Sequence, residues 1–124
     1  MALQESGEMY LESILVLSRS LSLVRAVDLS EFMGYSKASV SRAMGILKGE
    51  GYLTVQPDGA ILLTDSGRAV AETIYERHTF LTRYLVGLGV PEAVASEDAC
   101  RIEHVISETS FRALQKHMLE EHGI

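Results

Sequence analysis

The stretch that decides the fold is Ser36-Lys-Ala-Ser-Val-Ser-Arg-Ala-Met-Gly-Ile-Leu47. Its apolar residues Val40, Met44 and Leu47 recur at helical spacing, which predicts a helix that buries one side. Ser36 is a residue type that commonly caps helix N-termini, so we expect the helix to begin there.

A second helix is predicted directly before this one, from about Val24 to Met33. It ends at Gly34, because glycine readily takes the left-handed conformation that a tight turn needs. The interval from Gly34 to Ser36 has the length used by helix-turn-helix motifs, whose second helix enters the DNA major groove. An earlier amphipathic helix is predicted from Glu8 to Ser20.

A β-hairpin is predicted after the helix-turn-helix. Tyr52–Gln56 and Ala60–Leu63 are β-prone runs that flank Pro57-Asp58-Gly59, and Asp-Gly favours a tight turn. A hairpin at this position is the wing of a winged helix. Further helices are predicted from Thr64 to Gly87, from Pro91 to about Ile106, and from Ser107 or Glu108 onward. The fold class is therefore mainly α with a small β-hairpin.

Composition limits the function classes. A chain of 124 residues can bury one respectable core, so we expect one compact unit, with or without an appended dimerisation segment. No apolar run is long enough to cross a bilayer, so no membrane partner is expected. The N-terminus does not resemble a secretory signal and the single cysteine cannot form an internal disulfide. These features predict a cytoplasmic protein.

Charge is unevenly distributed along the chain. The net charge of −6 disfavours nonspecific binding to polyanions. Between Ser36 and Gly49, however, the only charges are basic, at Lys37, Arg42 and Lys48. The sequence therefore predicts a basic DNA-binding surface on an acidic protein.

The residues predicted to contact double-stranded DNA share the exposed face of the recognition helix. They are Ser36, Lys37, Ala38, Ser39, Ser41 and Arg42. Arg42 is suited to a bidentate pair with guanine, and Ala38 to contact with a thymine methyl group. Each residue taken singly is also explained as solvated surface, but a helix-turn-helix followed by a wing favours DNA binding.

The run Asp98-Ala-Cys-Arg-Ile-Glu-His104 predicts metal binding. Within a helix, the i, i+3 and i+4 spacing of Cys100, Glu103 and His104 places a thiol, a carboxylate and an imidazole on one face. These groups make up most of a metal site. The alternative is that Cys100 is a small buried apolar residue, as a lone cysteine in a reducing compartment usually is.

Four segments carry a family resemblance. They are Glu8-Met-Tyr-Leu-Glu12, Ser39-Val-Ser-Arg42, Arg77-His78 and Glu97-Asp-Ala-Cys-Arg-Ile-Glu-His-Val-Ile-Ser107. The chain resembles the diphtheria toxin repressor and manganese transport regulator family of metal-dependent repressors. The resemblance implies a winged helix-turn-helix DNA-binding domain in residues 1–70, followed by a helical metal-binding and dimerisation domain in residues 71–124. Longer members add a C-terminal SH3-like domain, and this chain is expected to be the form without it.

The resemblance also implies metal ligands. The primary site of the iron-responsive branch is matched by Met9, Cys100, Glu103 and His104. A helix-one carboxylate and a long-helix histidine complete a two-metal cluster in the manganese-responsive branch, and Glu12 and His78 match them.

The chain is a hybrid of the two branches. The manganese-responsive branch carries carboxylates where this chain has Met9 and Cys100. The ancillary site of the iron-responsive branch has a glutamate and a histidine where this chain has Thr82 and Ser96. Each proposed ligand also has a structural alternative, as a core residue, an interhelical hydrogen-bond partner or an ordinary surface residue.

The predicted function is a divalent-metal-dependent transcriptional repressor that controls metal homeostasis. It acts as a homodimer on operator DNA and has no small-molecule substrate. Thiolate and imidazole ligands suit Fe(II) better than Mn(II), so we expect Fe(II) first and Mn(II) second.

Three alternatives remain from the residues alone. A metal-independent winged-helix regulator would bind DNA equally well with a chelator. An enzyme is disfavoured, because Cys100 and His104 lie on one predicted helix turn with no evident third catalytic group. A protein-interaction module would use the apolar stripe of Phe111, Leu114 and Met118, which is more simply a dimer or domain core.

Overall fold

A computed structural model describes residues 5–122, and side chains as far as Glu120. The elements in chain order are α1 (Glu5–Ser18), α2 (Ala26–Met33), α3 (Lys37–Gly49), β1 (Leu53–Val55), β2 (Ile61–Leu63), α4 (Asp65–Gly87), α5 (Glu92–Ile102) and α6 (Glu108–His122). The chain forms two compact units, one ending at Thr73 and the other starting at Ile74. The boundary between them lies within α4. The predicted class, mainly helical with one small hairpin, is confirmed.

The first unit has a core built from one face of each of its first three helices and from the hairpin. Its largest fully buried side chains are Leu11, Ile14, Leu29, Val40 and Leu53. The helical spacing that predicted α3 is confirmed, because Val40, Met44 and Leu47 are all buried. α1 begins and ends slightly earlier than predicted.

The turn between α2 and α3 follows the local sequence signals. Gly34 has φ +73°, the left-handed conformation, and its N–H donates to the carbonyl oxygen of Ser30 at 3.0 Å. Ser36 then caps α3. The helix-turn-helix predicted from this interval is confirmed.

The hairpin forms at the predicted position with shorter strands. β1 and β2 pair antiparallel, with Thr54 opposite Leu62 at the centre of the register. The N–H of Ile61 also donates to the carbonyl oxygen of Val24 at 2.8 Å, which attaches the hairpin to the segment before α2. Tyr52 lies outside the strand, because its N–H is bonded to the carbonyl oxygen of Leu47 at the end of α3.

Gly67 lies in the first turn of α4, where this helix meets the base of the hairpin. Thr64 caps α4 as predicted, since its hydroxyl accepts a hydrogen bond from the Gly67 N–H at 3.2 Å. The Thr64 N–H in turn donates to the carbonyl oxygen of Tyr52 at 3.1 Å. A Cβ atom on residue 67 would lie 1.9 Å from that same Tyr52 oxygen. Only glycine allows the helix to approach the hairpin this closely.

The second unit packs α5 and α6 against the C-terminal part of α4. Leu81, Ala99 and Phe111, one from each helix, form its buried centre. The rings of Phe80 and Phe111 meet edge to face, with centroids 5.4 Å apart. The stripe predicted on α6 is therefore largely internal, because Phe111 and Met118 are buried.

α5 was predicted to continue to about Ile106, and this is wrong. The helix ends at Ile102, and the N–H groups of Val105 and Ile106 both donate to the Ile102 carbonyl oxygen, at 3.0 and 2.9 Å. This turn brings Ile106 against the buried cluster around Phe111. Packing in the second unit thus ends the helix, although nothing in the local sequence marks that point.

Among the helices of residues 5–122, none is long and apolar enough to cross a membrane.

We expect Gly67→Ala to lower the free energy of unfolding by about 2–3 kcal/mol, because the added methyl group collides with backbone that cannot move away cheaply. Chemical denaturation followed by circular dichroism measures the change. Gly45→Ala is the control, since nothing lies within 4 Å of a Cβ there. It should instead stabilise α3 by about 0.5–1 kcal/mol. Equal stability of the two variants would contradict the close approach.

Candidate metal centre and nucleic-acid interface

The predicted DNA-contacting residues lie on the exposed face of α3. All of Ser36, Lys37, Ala38, Ser39, Ser41 and Arg42 are exposed, whereas Val40 between them is fully buried. The exposure expected from the periodicity is therefore confirmed. Contact of these residues with DNA remains a prediction.

Ser36 holds the first turn of this helix. Its hydroxyl oxygen accepts a hydrogen bond from the Ser39 N–H at 3.1 Å and donates to the Ser39 hydroxyl at 3.0 Å. The cap satisfies one of the backbone donors left unpaired at any helix start. Ser36 thus has a structural role besides the predicted DNA contact.

Four of the predicted metal ligands come together in the second unit. The Cys100 thiol, a Glu103 carboxylate oxygen and a His104 ring nitrogen all lie within 4.8 Å of one another. His78, on α4, joins them through its Nδ1, which lies 2.9 Å from Glu103 Oε2. The spacing in sequence correctly grouped these residues. Glu103 is the C-terminal cap of α5, where the backbone is still helical and its N–H donates to the Ala99 carbonyl oxygen, and His104 lies in the turn that follows.

Glu103 is the centre of this cluster. Its side chain has no solvent exposure, and the His104 side chain beside it has none either. His104 Nε2 lies 3.3 Å from Glu103 Oε1, so each carboxylate oxygen faces an imidazole nitrogen. Burying an ionised carboxylate is costly unless it is paired, hydrogen-bonded or bound to a metal ion.

The donor set fits a divalent transition-metal ion. Protein nitrogen, oxygen and sulfur ligands bind such ions at about 2.0–2.3 Å, so two ligands of one ion are separated by at most about 4.6 Å. The 4.8 Å spread among the donor atoms of Cys100, Glu103 and His104 is close to that limit. Thiol and imidazole donors together suit Fe(II), Co(II), Ni(II) or Zn(II).

Thr82 and Ser96, which stand where the iron-responsive branch has ancillary-site ligands, both lie next to His78. The Ser96 hydroxyl lies 3.5 Å from His78 Nε2. The Thr82 hydroxyl donates to the His78 carbonyl oxygen at 2.8 Å, a bond within α4.

Met9 and Glu12 lie on α1, in the first unit. Their spacing of three residues puts them on one side of the helix, and both are half-buried. The Met9 carbonyl oxygen accepts a hydrogen bond from the Ser13 hydroxyl at 2.8 Å. Their roles as metal ligands remain predictions.

Comparison with known proteins identifies the family. The iron dependent repressor N-terminal DNA binding domain matches residues 2–61, and the iron dependent repressor metal binding and dimerisation domain matches residues 64–120. The transcriptional regulator MntR of Escherichia coli O6:H1 is 32% identical over 114 residues, which are 92% of this chain and 73% of that protein. The chain belongs to the iron-dependent repressor family.

The chain is also similar to an iron-dependent and a manganese-dependent repressor. The iron-dependent repressor IdeR of Mycobacterium bovis is 33% identical over 115 residues, and the match covers 92% of this chain but only 50% of that protein. A solved manganese-dependent transcriptional repressor in complex with manganese superposes with a TM-score of 0.80 at 28% identity, over 94% of this chain and 52% of that one. The chain thus spans about half the length of these two proteins. The resemblance read from the four segments is confirmed.

Arg77 lies next to the cluster, and no role for it was predicted from the sequence. Arg77 precedes His78 on α4, and its Nη1 donates to the carbonyl oxygens of Glu103 and Ile106, at 3.2 and 2.9 Å. Its Nη2 donates to Glu108 Oε2 at 3.1 Å. Hydrogen bonds from Arg112 and Arg77 hold the pKa of the Glu108 carboxyl below its ordinary value. The only sequence signal for Arg77 was its place beside His78 in a family segment.

We expect Ser36→Ala to lower the free energy of unfolding by about 1 kcal/mol, because the cap on α3 is lost. Ser36→Asp should retain most of the stability, since aspartate caps helices as well as serine does. Ser41→Ala is the control at an exposed position inside α3. Thermal or urea unfolding of the three variants gives the comparison. A Ser36→Ala protein as stable as Ser41→Ala would contradict the capping role.

Proposed function

We infer that this chain is a divalent-metal-dependent transcriptional repressor, responsive to Fe(II) first and Mn(II) second. The observation that carries the proposal is the fully buried Glu103 carboxylate facing two imidazoles beside the Cys100 thiol. The same chain carries an exposed, basic recognition helix in a winged helix. A repressor acts where the chromosome is, so we place the protein in the cytoplasm.

The proposed metal ligands of the second unit are His78, Cys100, Glu103 and His104. A bound divalent ion supplies positive charge next to the buried carboxylate. Cys100 binds as a thiolate and the histidines bind as neutral imidazoles, so loading releases protons and weakens as the pH falls. Glu103 is held in place for this role by its hydrogen-bond partners on α4.

The preference for Fe(II) rests on donor chemistry. A thiolate and imidazoles favour Fe(II), Co(II), Ni(II) or Zn(II), whereas Mn(II) prefers oxygen donors. Mn(II) is second because Glu12 and His78 match the manganese-responsive branch of the family. The similar repressor that was solved with manganese supports keeping it as a candidate. Selection between the metals in the cell also depends on their availability.

Met9 and Glu12 are proposed as further ligands on the basis of the family resemblance. Met9 stands at a primary-site position of the iron-responsive branch, and Glu12 at a second-site position of the manganese-responsive branch. With donors from α1, metal binding would order the helix that leads into the helix-turn-helix.

DNA recognition is proposed for the exposed face of α3. Arg42 is placed to form a bidentate pair with guanine, while Lys37 and the hydroxyls of Ser36, Ser39 and Ser41 reach phosphates or base edges. The hairpin serves as the wing beside the DNA backbone.

We propose a homodimer as the DNA-binding form. Two recognition helices must enter successive major grooves about 34 Å apart, so small changes in their presentation alter operator affinity. Metal binding shifts the population toward the DNA-binding arrangement. By reciprocity, operator DNA must tighten metal binding by the same factor.

The deciding experiment measures binding to the protein's own promoter DNA, anaerobically and at one moderate salt concentration, with chelator, Fe(II) or Mn(II). We expect activation by metal, with Fe(II) effective at the lower concentration. Glu103→Ala and His104→Ala should abolish the metal response while leaving a folded dimer. The matched control is Glu97→Ala, which removes a mostly exposed carboxylate from α5.

Two outcomes would contradict this proposal. Equal DNA binding with chelator and with metal would leave the alternative, a metal-independent winged-helix regulator. A full metal response in Glu103→Ala or His104→Ala would exclude the proposed site.

We expect Arg42→Ala to weaken operator binding by about 1–3 kcal/mol without changing metal affinity in the absence of DNA. Fluorescence anisotropy with operator DNA and metal titration without DNA give the two numbers. Arg101→Ala, at an exposed arginine of α5, is the control and should bind operator normally. Unchanged operator affinity in Arg42→Ala would exclude its role in base recognition.

A further inference from the structure

Two consecutive residues of α4 hold opposite ends of Glu103. Arg77 Nη1 donates to the Glu103 main-chain carbonyl oxygen at 3.2 Å. His78 Nδ1 lies 2.9 Å from the side-chain oxygen Oε2 of the same residue. Adjacent helical side chains diverge by about 100°, so one residue can reach the backbone while the next reaches the carboxylate. His78 belongs to the proposed metal site. Arg77 is not a candidate ligand, because its guanidinium has no lone pair available to bind a cation.

In the turn that carries Glu103 and His104, two carbonyl oxygens accept hydrogen bonds from a side chain of another helix. The last carbonyl groups of any α-helix have no partner within the helix. Here the Ile102 oxygen is bonded within the turn, by the N–H groups of Val105 and Ile106. The oxygens of Glu103 and Ile106 instead accept from one arginine nitrogen, at 3.2 and 2.9 Å. Arg77 therefore closes the turn from another helix.

The environment of Arg77 makes these bonds persistent. Its side chain is only 12% exposed, and its guanidinium carbon lies 5.3 Å from the centroid of the Phe111 ring. Its Nη2 is bonded to Glu108 at the start of α6, at 3.1 Å. Hydrogen bonds from a charged donor are stronger than neutral ones, and shielding from water strengthens them further. The guanidinium thus joins α4, the turn and α6 at one point.

We propose that Arg77 is a positioning residue for the metal centre, which sets metal affinity by fixing the backbone from which Glu103 and His104 project. The inference rests on the proposed metal site. Residues that orient the ligands of a metal site without touching the ion typically contribute 10–100-fold to affinity. Arg77 acts in this way through the main chain of the ligands, whereas His78 is itself one of the proposed ligands.

Arg112 provides a matched comparison. Its Nε also donates to Glu108, at 2.7 Å, and its guanidinium carbon also lies over Phe111, at 5.4 Å. None of the hydrogen bonds found for it among residues 5–120 goes to the carbonyl oxygens of the turn. Loss of Arg112 thus removes a similar ion pair and ring contact but leaves the turn closed.

The test uses Co(II) alone, titrated anaerobically into the wild-type chain, Arg77→Met, Arg77→Lys and Arg112→Met. The cobalt absorption bands report both affinity and ligand geometry. Amide hydrogen exchange across residues 103–106, measured without metal, reports the order of the turn separately. Thermal unfolding of each metal-free protein shows how much general stability is lost.

We expect Arg77→Met to weaken Co(II) binding by about tenfold or more and to speed exchange in the turn. Arg112→Met should bind Co(II) within about twofold of wild type, even where its loss of thermal stability is similar. Arg77→Lys should fall between them, because a single ammonium replaces the forked guanidinium. Arg77→Lys also carries the test if Arg77→Met does not fold.

Two results would overturn the role of Arg77 while leaving the metal site intact. One is Co(II) affinity unchanged in Arg77→Met, or in Arg77→Lys where that variant carries the test. The other is an equal loss of affinity in the Arg77 and Arg112 variants, which would indicate a general effect on stability. A wild-type chain that binds no Co(II) would overturn the proposed metal site, and the inference with it.

Discussion

A carboxylate removed from water has to be compensated by its neighbours, and the arrangement around Glu103 follows from that requirement. The side chain has no solvent exposure, and an isolated buried charge would be strongly destabilising. His78 comes from α4, and His104 comes from the turn that follows α5. Two imidazoles can compensate one carboxylate, and the Cys100 thiol lies within 4.8 Å of a Glu103 oxygen and a His104 ring nitrogen. Such a cluster combines the cost of polar burial with the donor types that transition metals prefer.

Arg77 connects α4 with the turn after α5 and with the start of α6. Arg77 binds the carbonyl oxygens of the turn with one nitrogen and Glu108, in the first turn of α6, with another. The ring of Phe111, one turn further along α6, lies under the guanidinium and packs into the buried cluster with Leu81. Polar and apolar contacts therefore meet at one point. A change in the turn would disturb both the packing of α6 and the placement of the proposed ligands.

Local signals predicted most of the fold, and long-range contacts account for what they missed. The helix-turn-helix was predictable because its signals are local: Gly34 ends α2, Ser36 caps α3, and the apolar residues of α3 recur at helical spacing. The end of α5 was not, because its turn is closed by Arg77, which is 26 residues from Glu103 in the chain. The need for glycine at position 67 likewise depends on a carbonyl group of Tyr52. In the candidate site, sequence spacing grouped Cys100, Glu103 and His104 correctly, but α5 ends before His104, which lies in the following turn.

The charge distribution bears on how such a protein would be controlled. With a net charge of −6, it has little general attraction for DNA, and the basic residues of α3 are Lys37, Arg42 and Lys48. Each phosphate contact contributes about −0.9 to the slope of log affinity against log salt concentration, so one recognition helix makes a small electrostatic contribution. Useful affinity at cellular salt then needs two recognition helices presented together, in addition to specific base contacts. In the proposed homodimer, a change in how the two recognition helices are presented would therefore have a large effect on operator affinity. An acidic chain with a small basic surface is therefore well suited to regulation by a ligand that binds elsewhere in the molecule.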